Sequence, residues 1–128
     1  MFFALIVFVG AGCGGVLRYG TNLAAIRLLG EAFPFGTFLI NVAGSFVMGL
    51  VAAAALARIG LFGQPEWRLF LMTGVLGGFT TFSAFSLDTA YLWERDEFGL
   101  AIAYVGGSVA VSLAAVSAGL WLVRNLPG

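Results

Sequence analysis

The chain has 128 residues, 61% hydrophobic and 9% charged, with no histidine, one cysteine and a formal net charge of zero. A water-soluble domain carries about 45–50% apolar and about 25% charged residues, so this composition is that of a small integral membrane protein. It excludes electrostatic attraction to nucleic acid, an internal disulfide framework or cysteine zinc cluster, and histidine-based catalysis or metal binding.

Runs without charge divide the sequence into four spans, with helices expected over about 2–27, 36–57, 67–88 and 98–124 of a single domain, 1–128. The first run, Phe2–Leu17, is short for a membrane helix unless it continues past Arg18 towards Arg27, as we expect. It lacks the basic segment and small-x-small site of a cleaved signal peptide, and no aliphatic residue precedes Cys13 in the manner of a lipoprotein signal. Gly10-x-x-x-Gly14 has the spacing of close helix approach. Arg18 falls about 24 Å along this helix, where it either snorkels to the surface or pairs with a buried acceptor.

A turn at 30–36 containing Pro34 leads to the second run, Ala32–Ala57, whose 26 residues make about 39 Å of helix. Thr37, Asn41 and Ser45 recur at i, i+4 and i+8, a polar stripe on one face. The connection 58–67 carries Gly60, Gly63 and Pro65.

The third run, Leu69–Leu87, is just long enough to span and is the irregular one. Gly74-Val75-Leu76-Gly77-Gly78-Phe79-Thr80-Thr81-Phe82-Ser83-Ala84-Phe85-Ser86 places glycines and β-branched threonines where a membrane helix should be most regular. These residues weaken a helix, and a broken backbone at membrane depth survives only inside protein or along a cavity. The expectation is a third helix broken at its centre, with freed carbonyls able to coordinate a cation; the alternative is a glycine-rich kink used for packing. Phe82 and Phe85 lie three apart beyond the break, and the positive edges of their rings favour an anion. Asp88 ends the span, and we place it at the membrane interface.

An acidic connection, 88–97, precedes the fourth run, Phe98–Val123, where Tyr104, Ser108 and Ser112 repeat the i, i+4, i+8 spacing. Either polar stripe alone is ordinary interhelical hydrogen bonding. Two of them beside a broken helix suggest the lining of a path, one that offers neutral donors to an anion without a charge to trap it.

Four spans put both termini on one side. Arg58, Arg68 and Arg124 lie with the termini, Arg27 and Arg95 lie opposite, and Arg18 joins the latter if it reaches that surface: three against two or three. So small a bias gives insertion almost no direction, and a protein that inserts both ways pairs with an inverted copy of itself.

Gly-x-x-Leu-Arg-Tyr at 14–19, Gly-Thr-x-x-x-Asn at 36–41 and Gly-Gly-Phe-Thr-Thr-Phe-Ser at 77–83, followed by Phe85, resemble the Fluc (CrcB) fluoride channels of bacteria, in order and over the whole chain. The resemblance implies an all-α, antiparallel dual-topology homodimer in the bacterial inner membrane, enclosing two fluoride pores. It implies a structural Na⁺, not transported, held on the dimer axis by the backbone carbonyls of Gly77 and Thr80 from both chains. Neutral oxygens suit such a hard cation. Phe82 and Phe85 match the family's phenylalanine box and Asn41 its pore asparagine. Tyr104, Ser108 and Ser112 match its helix-4 polar track, Ser83 a hydroxyl beside the box, and Arg18 an arginine with a structural or vestibular role. Ala84 stands where members often have threonine and Asp88 where a glutamate is common, departures that bear on conduction rate and fluoride positions.

The implied activity is passive, selective fluoride efflux that lowers cytoplasmic fluoride, driven by the membrane potential at roughly 2.3 kcal/mol per charge per 100 mV. A small dual-topology multidrug exporter, the first alternative, would need a membrane-embedded carboxylate that the first span lacks. A non-transporting membrane subunit would leave the two polar stripes unexplained. No nucleophile–base pair or carboxylate cluster within the spans suggests an enzyme.

Overall fold

The computed structural model describes residues 1–126; the last two residues of the expected domain lie outside the described ones. All regular structure among the described residues is helical: α1 (Phe2–Leu29), α2 (Phe35–Leu56), a short 3₁₀ turn (Gly60–Gly63), a third span made of several pieces, and α6 (Phe98–Arg124). Four helical stretches, Phe2–Leu29, Phe35–Leu56, Pro65–Glu94 and Phe98–Arg124, are long and apolar enough to cross a membrane. The chain is a multi-pass membrane protein.

Gly30 closes α1 at φ 80°, a backbone conformation that a side chain would strain. Pro34 then precedes α2, and Pro65 opens the third span at the helix position where its missing N–H costs nothing. The third span runs as α3 (Pro65–Arg68), a π-helical stretch (Leu69–Leu76), α4 (Gly77–Phe79) and α5 (Phe82–Glu94). Thr80 and Thr81 between α4 and α5 are extended, at φ/ψ −75/156° and −154/118°.

Three bounds differ from the sequence expectation by two residues or more, the third span beginning at Pro65 instead of near 67. α1 reaches Leu29, and the third span continues to Glu94 instead of ending near Asp88. The charged residue does not stop the helix, because its carboxylate is taken up by a neighbouring helix. Asp88 Oδ2 accepts a hydrogen bond from the Tyr104 hydroxyl at 3.1 Å.

Packing follows the glycines. α1 lies against the π stretch and α4, and the two backbones come so close that a Cβ on Gly10 would sit 2.6 Å from the Phe70 carbonyl oxygen. A Cβ on Gly14 would run into the Val75 carbonyl, and one on Gly74 would lie 2.9 Å from Gly10 Cα. This is the small-residue seam through which membrane helices associate by close packing, since lipid supplies no hydrophobic drive. α2 and α6 form the most extensive helix pair, joined where Gly49 and Gly119 face each other's backbones. At the other end of α6, Leu92, Ala101 and Tyr104 form a buried cluster flanked by Phe33, Phe38 and Phe85. Phe33 meets the Tyr104 ring edge-on, centroids 5.5 Å apart.

Candidate pore site

α2, the Thr80–Thr81 segment, the start of α5 and the middle of α6 surround one cavity of about 470 Å³. Among the sequence candidates, Asn41, Thr80, Phe82, Phe85, Ser108 and Ser112 line it. They come from three spans, so only the packing of α2 and α6 around the extended segment brings them together.

The extended segment is built by two diverted hydrogen bonds. In a continuous helix the Thr81 N–H would donate to the Gly77 carbonyl; here it donates to Asn41 Oδ1 at 2.8 Å. The Ala84 N–H would donate to Thr80; here it donates to Thr81 Oγ1 at 3.2 Å, so Thr81 is the N-cap of α5. Both diversions release a carbonyl from the helical ladder, those of Gly77 and Thr80. The Leu76 carbonyl, by contrast, accepts from both the Thr80 N–H and the Thr80 hydroxyl, at 3.0 and 2.8 Å. Asn41 Nδ2 completes the link by donating to the Thr81 carbonyl at 3.0 Å. Gly44, one turn on from Asn41, makes room for this approach, because a Cβ there would run into the Thr80 side chain.

Phe82 and Phe85 sit side by side at the cavity, ring centroids 5.4 Å apart and tilted by 44°. Phe85 also packs on Tyr104 at 5.2 Å. Phe82 is 78% exposed, so the cavity opens on a face that the chain itself leaves uncovered. Across from the rings, the hydroxyls of Ser108 and Ser112 are buried and have no hydrogen-bond partner. An unmade bond in a buried site costs about 1–3 kcal/mol, and native structures hold few of them without a reason.

Four sequence candidates stand apart from the lining. Tyr104 is fully buried behind Phe85 and donates to Asp88. Ser83 is exposed at the first turn of α5, its hydroxyl 3.2 Å from Thr81 Oγ1. Arg18 is half-buried on α1, where it makes no ion pair or side-chain hydrogen bond among the described residues. Gly77 is exposed beside its released carbonyl. Sequence reasoning overlooked Thr81 as the pivot of the segment. A threonine immediately before a helical run is an N-cap signal, and that signal was present. It also overlooked Asp88 as the partner of Tyr104, which no local spacing announces.

The donor set of the lining is neutral: two free hydroxyls, a carboxamide and two aromatic rings. It can surround a small anion without binding it tightly. The two released carbonyls are hard, neutral oxygens of the kind that hold an alkali cation.

A family model described as CrcB-like protein, Camphor Resistance (CrcB), matches residues 5–120. A protein of Nitrobacter hamburgensis named fluoride-specific ion channel FluC 2 is 60% identical over 122 residues, covering 95% of this chain and 97% of its own. Proteins named fluoride-specific ion channel FluC are similar over comparable lengths. That of Methylobacterium nodulans is 55% identical, covering 94% of this chain and 95% of its own. That of Mesorhizobium japonicum is 53% identical, covering 99% of this chain and all of its own.

Proposed function

The chain belongs to the CrcB family, and from that membership we infer that it is a fluoride-specific ion channel, a transporter and not an enzyme. The observation in this chain that carries the reading is the pair of unpartnered Ser108 and Ser112 hydroxyls facing Phe82 and Phe85 across one cavity.

Fluoride is small and holds its water strongly, so a pore must replace that water with close donors. Ser108 and Ser112 supply O–H groups, and Asn41 retains one Nδ2 hydrogen after bonding Thr81. Phe82 and Phe85 supply the positive rims of their rings. Tyr104 stands one helical turn from Ser108 and continues the polar line towards Asp88. Ser83 adds a hydroxyl on the open side of the rings, and Arg18 takes a structural or vestibular place. With no fixed charge in the lining, the anion meets donors that release it again, and the membrane potential sets the direction of flow. A lining of close donors matched to small, strongly hydrated fluoride would serve larger chloride poorly.

The Gly77 and Thr80 carbonyls support a structural Na⁺, because both have lost their helical donors while remaining neutral and hard. When bound, Na⁺ would be coordinated by oxygens that lipid cannot satisfy. The same need supports an antiparallel homodimer of dual topology. Released carbonyls and a 78% exposed Phe82 at membrane depth call for cover by protein, and the near-equal arginine count lets a second, inverted copy provide it. The bacterial relatives point to the inner membrane as the location.

The test is efflux from Na⁺-loaded liposomes carrying the purified protein, followed with a fluoride electrode, K⁺ and valinomycin, with chloride as the control anion. Rapid fluoride release without chloride release, lost in Phe82→Ile, is the expected outcome. Equal release of both anions, or none from a folded dimer, would contradict it.

A further inference from the structure

Asn41 belongs to the second span, yet both ends of its carboxamide are committed to the third. Oδ1 accepts from the Thr81 N–H at 2.8 Å and Nδ2 donates to the Thr81 carbonyl at 3.0 Å. These two bonds close a ring on a single extended residue, as one strand does with its neighbour. The pairing needs an acceptor and a donor on one planar head at this length, which a serine, a leucine or an aspartate does not offer. It also holds Thr81 in place as the N-cap, so the direction in which α5 leaves, and with it the placing of Phe82 and Phe85, is set from α2.

The consequences run to both sides of Thr81. Behind it, the Thr81 N–H is withheld from Gly77, whose carbonyl stays outside the helical ladder. Ahead of it, the first turn of α5 carries the two rings that line the cavity. An asparagine that only supplied a donor to a passing anion would have no reason to commit both its acceptor and one of its donor hydrogens to another helix's backbone.

We propose that Asn41 is a positioning residue: its clamp on the Thr81 peptide keeps the third span open, and so couples cation retention at Gly77 and Thr80 to anion passage beside Phe82 and Phe85. This rests on the fluoride-channel reading of the same cavity. It differs from a pore-donor role in what it controls, namely the backbone of another span as well as the anion.

The test combines amide hydrogen exchange at Thr81 with the Na⁺ dependence of fluoride efflux, on the full chain, with N-methylglucamine replacing Na⁺. In the wild type the Thr81 amide is protected although it lies outside any helical ladder. In Asn41→Ala it exchanges about tenfold faster, the loss expected when a clamped amide is set free. The Na⁺ concentration for half-maximal efflux rises about tenfold, as when a group supporting a metal ligand is removed. Ser108→Ala slows efflux and moves neither quantity. Asn41→Asp, which keeps the acceptor for the Thr81 N–H and loses the donor, falls between the two; it serves if the alanine variant does not fold. An unprotected Thr81 amide in the wild type overturns the proposal. So does an Asn41 variant that slows efflux with Thr81 exchange and Na⁺ requirement unchanged, which leaves Asn41 a pore donor only. Failure of the wild type to favour fluoride over chloride would contradict the channel reading instead, and the Thr81 exchange would still decide the clamp.

Discussion

Thr21, Ser86, Thr89 and Ser117 each donate their hydroxyl to the carbonyl four residues back, at 2.8–2.9 Å. That is the ordinary way for a hydroxyl to be satisfied within a helix in lipid. Ser108 and Ser112, in α6 like Ser117, do not follow it. Their hydrogens find no acceptor among the described residues, as the proposed anion path requires. Tyr104, one turn away, shows the opposite economy: its hydroxyl is taken by Asp88 and its ring is wedged between Phe33 and Phe85. Tyr104→Phe should therefore act mainly on stability, lowering it by about 1.5–3 kcal/mol, the worth of a hydrogen bond to a charged group. Thermal unfolding of the purified protein checks this. An unchanged midpoint would mean that the Asp88 bond contributes nothing to the fold.

At the scale of elements, the glycine seam between α1 and the third span determines whether the cavity forms, because it fixes the π stretch that leads into Thr80 and Thr81. Gly14→Ala drives a methyl into the Val75 carbonyl and should destabilise by about 1–3 kcal/mol. Gly15→Ala, one residue on, meets open space and should leave stability unchanged or slightly raised. Parallel unfolding curves of the two variants separate these effects, and equal curves would contradict the packing account. Much at this scale was legible in the sequence. Charge-free runs marked the spans because a charge at membrane depth is costly, and the Gly10/Gly14 spacing pointed to close approach. The i+4 recurrence of Ser108 and Ser112 likewise put them on one face. The Gly49–Gly119 contact was not legible, since each glycine's partner lies on a different span. The pairing of Asn41 with Thr81 was hidden for the same reason: forty residues apart, the two are joined only by how α2 packs. Asp88 looked like an end of the third span because its charge is local information and its Tyr104 partner is not.

For the whole molecule, the cavity opens on an uncovered face, and the arginine count gives insertion little direction. A dual-topology dimer answers both conditions at once. With Cys13 replaced by alanine and Asn125→Cys as the reporter, a membrane-impermeant maleimide applied to intact cells should label roughly half of the chains, as expected when the charge bias is balanced. Labelling of all or none would show a single orientation and would require a different arrangement to cover the Gly77 and Thr80 carbonyls.

The central claim is that fluoride passes beside the free hydroxyls of α6. The most direct measurement compares fluoride efflux from liposomes carrying a Ser108→Ala/Ser112→Ala double variant with efflux through a Thr21→Ala/Ser117→Ala double variant, whose hydroxyls are already satisfied four residues back. Efflux should fall sharply in the first, while the protein stays folded, and remain at the wild-type rate in the second. Wild-type efflux through the first variant would contradict the account.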